Sequence, residues 1–319
     1  MKYSSAPLLL LLLLVFSLPM RGQTSELKRI ASSFDEEYQR GLLSFFADDR
    51  MEGRASNSIG ALLTISLVNN LFAKWDLIPF YNSSYVQTFK MDTLTGRNIA
   101  GVILANGYSE EYIVVSAHYD HLGVMNGNIY NGADDNASGV TAVMTLANLF
   151  SRLKTSSVHL RKNIIFLLLD GKEHNLAGSE DFLKRLPVPV KKIVCNINID
   201  QIGTTFAPPG TNEKYMLVLG ERKNRHIITT KLDAANRFYE TGFDLDYSFY
   251  KSPSFAELFF RSSDQYSFAK KGIPSVLVTS GIHMHTYKTT DDHYFINYPV
   301  LAERTRLLFY HIYHMTLSY

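Results

Sequence analysis

A histidine and several acidic residues stand directly after apolar runs in this chain. His118-Tyr-Asp-His-Leu-Gly123 follows Tyr112-Ile-Val-Val-Ser-Ala117, and Asn131-Gly-Ala-Asp-Asp-Asn-Ala-Ser-Gly139 comes next. Glu173 follows Asn163-Ile-Ile-Phe-Leu-Leu-Leu169, and Asp200 ends Lys192-Ile-Val-Cys-Asn-Ile-Asn-Ile-Asp200. Imidazole and carboxylate are ligands for a hard or borderline divalent cation. An open α/β sheet collects its functional groups at the carboxyl ends of its strands. Residues two apart on a strand face one side. The Asp120 carboxylate is therefore expected to accept a hydrogen bond from His118 and fix its tautomer. Asp134 and Asp135 sit in a glycine-flanked turn entering a helix, where the dipole favours a carboxylate by ~0.3–1 kcal/mol. An aspartate there could also bridge two cations ~3.5–4 Å apart, as two-metal hydrolysis requires. Each acid alone could be a cap or a solvated loop residue. Their convergence on one edge points to a metal site.

The elements that must position these residues can be read from the same pattern. Glu26 to about Ala47 reads as one amphipathic helix, with Ile30, Phe34, Tyr38, Leu42 and Phe45 at helical spacing, and Ile59 to Lys74 as a second. Val86 to Met91 and Asn98 to Leu104 read as strands flanking Thr95-Gly96, and Glu111 to Ala117 as the next. A helix over Ala137 to Ser151 is entered through Asp135-Asn136, good capping types. From Asn163 the order is strand, loop, helix (Leu176 to Leu186) and strand (Lys192 to Ile199), which argues for parallel βαβ units. Tyr215 to Leu219 and Ser275 to Thr279 are further strands, and Asn224 to Tyr239 and Pro299 onward are helices. Phe255 to Ser262 reads as a loop or strand. The expected fold is α/β, a mixed central sheet flanked by helices, in a single domain over 23–319.

Residues 1–22 read as a signal peptide. Met1-Lys2 precedes the apolar run Leu8 to Phe16 and then Ser17-Leu-Pro-Met-Arg-Gly22. That run falls short of the ~20 residues a bilayer span needs. A secreted or periplasmic protein, without membrane attachment after leader cleavage, is the expectation. The formal charge of +2 implies no nucleic acid or other polyanion as partner. Cys195 is the only cysteine of 319 residues, so the fold must be held by its core rather than by an internal disulfide. Asn82-Ser-Ser and Asn136-Ala-Ser match the glycosylation acceptor pattern, but such matches arise by chance.

On Ala117-His-Tyr-Asp-His121, Gly132-Ala-Asp-Asp-Asn-Ala-Ser-Gly139, Glu173 with Gly178-Ser179, Asn198-Ile-Asp200 with Ile202-Gly203, and Ser263-Asp264 before Gly272-Ile-Pro274, the chain resembles the zinc exopeptidases of metallopeptidase family 28. That family includes bacterial leucyl aminopeptidases and glutamate carboxypeptidases. Met51-Glu-Gly-Arg54 and Arg97-Asn-Ile99 resemble its lead-in. The resemblance implies a peptide substrate and one or two Zn(2+) per chain. It places His118, Asp134 and Asp200 on one zinc, with Asp134 bridging to a second held by Glu173 and a late histidine. It implies a cis peptide at Asp134–Asp135, a water activated by the metals, and Asp120 orienting His118.

Two positions depart from the family pattern. Its Gly-Glu-Glu is Gly171-Lys172-Glu173 here, so the general-base glutamate is Lys172. The last ligand position falls on Tyr287 when counted without gaps. A two-residue shift brings His285-Thr286 into place, with His283 nearby, and His285 is the expected ligand. Lys172 admits three readings. It acts as a base with a depressed pKa; its ammonium takes the charge role of the second metal; or hydrolysis is lost and the domain binds peptides or metal only. A glutaminyl-cyclase-like acyltransferase, a group similar in fold with one zinc, is a further alternative suggested by Leu169-Asp-Gly171. Residue specificity, amino- versus carboxypeptidase action and oligomeric state are not encoded in any recognisable motif.

Overall fold

Apolar runs without alternation become strands covered on both faces. The computed structural model describes residues 23–206, 212–221 and 225–317, and the expected leader lies outside them. The strands in chain order are β1 (Ile78–Pro79), β2 (Val86–Met91), β3 (Leu94–Ile103), β4 (Tyr112–His118), β5 (Gly123–Met125), β6 (Asn128–Tyr130), β7 (Asn163–Leu169), β8 (Ile193–Ile199), β9 (Tyr215–Leu219), β10 (Asp244–Asp246) and β11 (Ser275–Thr279). The helices are α1 (residues 23–31), α2 (Glu36–Phe46), α3 (Ile59–Lys74), α4 (Gly139–Leu153), α5 (Ala177–Lys184), α6 (His226–Phe238), α7 (Pro253–Arg261), α8 (Gln265–Lys270) and α9 (Tyr298–Thr316).

The main sheet has the order β1-β3-β7-β4-β8-β11-β9-β10, with β2 paired to β3. Its centre is parallel: β7, β4, β8 and β11 run one way. β3 and β9 flank that block antiparallel. A mixed sheet results, as the strand pattern predicts. Alternate residues of β4 face opposite layers. Ile113, Val115 and Ala117 join the core built with α2, α4 and α9, whereas Val114 packs into a second core with Phe182 of α5 and Phe268 of α8. The four central parallel strands end on one edge, and His118 and Asp200 stand at that edge.

Two elements differ from the sequence reading. The helix expected from Glu26 to Ala47 is broken, because Asp35 caps a new helix by accepting the Tyr38 N–H at 2.9 Å. The segment around Phe255 is the helix α7, not a loop or strand. Pro253 lies in its first turn, Phe249 stacks on Phe259, and Glu257 pairs with Arg261 one turn on. Periodicity was hard to read there because only Phe260 of that helix is buried. Among the described residues, no helix is long and apolar enough to cross a membrane.

Candidate metal centre

β4 delivers His118, the loop after β8 delivers Asp200, and the turn before α4 delivers Asp135. His118 Nε2 lies 3.3 Å from Asp135 Oδ1 and 3.3 Å from Asp200 Oδ1, and all three residues are buried. On the other side of the ring, Nδ1 is 3.0 Å from the Asp120 backbone oxygen. A carbonyl can only accept, so Nδ1 carries a proton there and Nε2 is the nitrogen aimed at the two carboxylates. Burial opposes charge on the ring, but Asp200 and Asp135 outweigh it and hold His118 well above its ordinary pKa, so metal-free protein keeps an imidazolium there and a divalent cation would displace the Nε2 proton. Asp135 Oδ2 is also buried without a hydrogen-bond partner. This donor set, one imidazole and two carboxylates, fits a divalent cation such as zinc.

The turn that carries Asp135 is held from several sides. Gly132 has φ 56°, and a Cβ there would stand 2.2 Å from the Asp135 carbonyl oxygen and against the His121 ring, so only glycine fits. Asp291 accepts the backbone N–H groups of Asp134 and Asp135 at 2.9 and 3.0 Å. The buried Arg54 guanidinium donates to the carbonyls of Tyr119, Asn131 and Gly132 at 2.7–2.9 Å, and also to Phe46. Burial lowers the Arg54 pKa to about 10 despite Asp291, Asp135 and Asp120 nearby. Neither Arg54 nor Asp291 has an assigned role in the sequence reading, although Arg54 belongs to the lead-in string.

Three expectations are corrected. First, Asp134 does not join the cluster. Its carboxylate already accepts from Gly203 N–H (2.6 Å), Thr204 Oγ1 (2.8 Å) and Ser138 Oγ (2.9 Å), and His283 Nε2 is 3.1 Å away. Asp135 takes the position instead, and the cis bond is Asp135–Asn136 rather than Asp134–Asp135. Second, the Asp120 carboxylate does not make the expected hydrogen bond to His118, its Oδ1 standing 3.8 Å from Nδ1. Its oxygens accept the N–H groups of Lys172 and Glu173, both at 3.1 Å, and it is the backbone oxygen that holds the imidazole. Third, His285 lies outside the cluster. Its Nδ1 pairs with Thr290 Oγ1 at 2.9 Å and its ring stacks on Phe295. The position counted without gaps, Tyr287, is the one that enters the site. Asp291 fixes the turn carrying Asp134 and Asp135, so the four-residue spacing to Tyr287 leaves no room for a shift.

A second group of donors lies beside the first: His121, Asp135 and Glu173. Neither ring nitrogen of His121 has a hydrogen-bond partner, and burial lowers its pKa to about 3, so it is a neutral imidazole. A cation is nevertheless already present here. Lys172 Nζ lies 2.8 Å from Glu173 Oε1 and 3.4 Å from Asp135 Oδ1, and it donates to Tyr287 Oη at 3.0 Å. Burial alone would depress the lysine, but Asp135, Asp200 and Glu173 outweigh it and hold its pKa well above the ordinary value. The same burial raises Tyr287 to about 12, Asp135 adding to it. Lys172 as a neutral base does not agree with these surroundings. Asp200 is held from behind by Ser263 Oγ at 2.5 Å, itself in reach of Asn198 Nδ2 at 3.0 Å.

A cavity of about 440 Å³ opens on this cluster, lined by Lys172, Asp200 and Tyr287 together with Leu258, Phe259 and Ile282. A larger cavity of about 770 Å³ lies between Arg225, Tyr247, Phe260 and Lys270, and none of the clustered residues lines it.

A model of peptidase family M28 matches residues 98–312. The chain belongs to peptidase family M28. Among curated proteins it is similar to the BOS complex subunit NCLN of Canis lupus familiaris, 40% identical over 73 residues, which are 23% of this chain and 13% of that protein. It is 28% identical over 131 residues to a probable zinc metalloprotease of Pyrenophora tritici-repentis, covering 38% of this chain and 28% of that one. The match thus spans a minor part of these relatives' length. The M28 chain is also similar in fold to solved structures. LapA of Legionella pneumophila gives a TM-score of 0.71 at 17% identity, covering 92% of this chain and 77% of that one. BSAP, a zinc aminopeptidase from Bacillus subtilis, gives 0.68 at 16%, covering 88% and 95%. A glutaminyl cyclase of Porphyromonas gingivalis gives 0.67 at 15%, covering 88% and 98%. The zinc-aminopeptidase-like fold of the M28 chain carries the cluster at the carboxyl edge of its sheet.

Proposed function

We propose that this M28 member is a zinc-dependent exopeptidase of aminopeptidase type, acting on peptides outside the cytoplasm. The observation that carries the reading is the meeting of His118, Asp135 and Asp200, with His118 Nε2 3.3 Å from a carboxylate oxygen of each. Zinc on these three residues would supply Lewis acidity toward a peptide carbonyl and an activated water. The protein's own groups do the rest. Asp120 holds His118 through its backbone oxygen and the Lys172–Glu173 amides through its carboxylate. The Lys172 ammonium offers positive charge where an oxyanion develops. Glu173, whose side chain is 18% exposed, is the carboxylate left to take up a proton. The cavity of about 440 Å³ has the volume of a small-ligand site, and Leu258, Phe259 and Ile282 in its lining suit an apolar side chain. The leader-like residues 1–22 support the location.

The test is hydrolysis of leucyl- and phenylalanyl-arylamides by the zinc-loaded protein, with loss on Asp135→Ala. A folded, zinc-loaded protein inert toward a broad panel of aminoacyl-arylamides and peptides would refute it. One observation favours a second reading, a silent binding module: no carboxylate stands at position 172. In that case peptides bind, measured by calorimetry, without turnover. The likeness in fold to a glutaminyl cyclase makes an N-terminal glutaminyl peptide a necessary member of the panel, and a pyroglutamyl product would identify acyl transfer.

A further inference from the structure

We propose that the Lys172 ammonium, anchored on the Tyr287 hydroxyl, stands where a second cation would stand, so that the chain holds one divalent ion rather than two. The donors for a second ion are present: His121, Asp135 and Glu173 have ligating atoms within 4.8 Å of one another. What does not fit is a further dication among them. Lys172 Nζ already bonds Glu173 at 2.8 Å and lies 3.4 Å from Asp135, the residue shared by both groups. Its side chain is only 5% exposed, so its charge is balanced chiefly by these carboxylates rather than by bulk water.

Tyr287 completes the arrangement. Its hydroxyl accepts from Nζ at 3.0 Å, and its ring lies parallel to His121, at 6.1 Å and 3°. Its backbone has φ 58°, a conformation an aromatic residue adopts only where its surroundings hold it. A tyrosine hydroxyl, protonated at neutral pH, is a poor ligand for zinc and a good acceptor for an ammonium. The residues at 172 and 287 thus depart from the family pattern together and touch each other. A tethered monovalent charge replaces a diffusible divalent one, and it cannot be removed by a chelator.

The inference rests on the peptidase reading only for the first ion. The experiment strips the full-length protein with chelator, reloads it with zinc chloride, and counts bound metal by plasma mass spectrometry and calorimetry. Circular dichroism and melting temperature check the fold. One zinc is expected in the wild type, one in Lys172→Arg, which keeps the charge, and two in Lys172→Met combined with Tyr287→His. Two zincs in the wild type would overturn the proposal. So would a folded double variant that still binds one. If the double variant fails to fold, Lys172→Met alone is read the same way through His121, Asp135 and Glu173. No zinc in the wild type but binding in the variants would sink the peptidase reading and keep the role of the ammonium. No zinc in any folded variant would sink both.

Discussion

Asn substitutions at the adjacent aspartates 134 and 135 should separate a structural carboxylate from a metal-holding one. Asp134 receives four donors at 2.6–3.1 Å, two on each oxygen. Asparagine keeps one oxygen and turns an NH2 toward the other pair. Bonds to a charged group contribute about 1.5–3 kcal/mol each. The Thr204 hydroxyl can rotate to accept, which offsets part of the loss, so Asp134→Asn should destabilise by about 2–4 kcal/mol. At about 2 °C per kcal/mol for a large domain, the melting temperature falls by roughly 4–8 °C. Zinc affinity should change less than about tenfold, or 1.4 kcal/mol. Asp135→Asn removes a direct donor and should weaken zinc by more than the about 100-fold typical of supporting residues. The assay is melting temperature with and without excess zinc, since a ligand bound only by the native state raises it. Zinc should stabilise the wild type and Asp134→Asn but not Asp135→Asn. The reverse pattern would show that the cation sits on Asp134, and the placement of the turn would be wrong.

Other outcomes follow from the same geometry. Asp120→Asn leaves the backbone oxygen on His118, so zinc affinity should hold within about tenfold while the loss of one amide acceptor costs about 1–2 kcal/mol in a urea titration. Arg54→Met removes the donor from four buried carbonyls, of which only Gly132 keeps another in the Ala137 N–H, and should destabilise by about 3–5 kcal/mol, the range for breaking a buried charged network; a drop under about 1 kcal/mol would mean that the loop is held otherwise. Burial raises Asp120 to about 8, with Asp170 and Glu173 adding to it, and raises Asp291 to about 7, with Asp134 adding to it. Folded protein therefore keeps protons that the unfolded chain gives up near pH ~4, and this stability is lost as pH rises through 7 to 8. His121 and His311, both lowered to about 3, act oppositely but only below pH ~6.5. Metal-free protein should thus lose stability between pH ~6.5 and 8, measured by urea midpoint in chelator, and Asp291→Asn should flatten the slope; a rise would contradict it.

Much of the architecture was legible because its strands are long apolar runs and its helices have clear caps. The edge where His118, Glu173 and Asp200 gather follows from those runs. What was not legible depends on side-chain direction within a few residues. Asp134 and Asp135 are identical neighbours, and only the donors offered by Gly203 and Thr204, far along the chain, draw the first away from the cluster. Asp120 could serve through either of two acceptors, and sequence does not say which. The ungapped count to Tyr287 carried the right signal, but chemistry made a histidine more attractive than a tyrosine. α7 escaped because all of its residues but Phe260 are exposed or half-buried, so no apolar stripe marks it as a helix.

Asp120 grips the Lys172–Glu173 segment by its amides and never touches the lysine side chain. The placement of that loop is thereby independent of which residue occupies position 172. Such a socket tolerates exchange of an acid for a base without rebuilding its walls, so the sign of the charge at the heart of the pocket can be rewritten by one codon. The scaffold is for that reason suited to engineering in either direction, toward or away from a dinuclear centre.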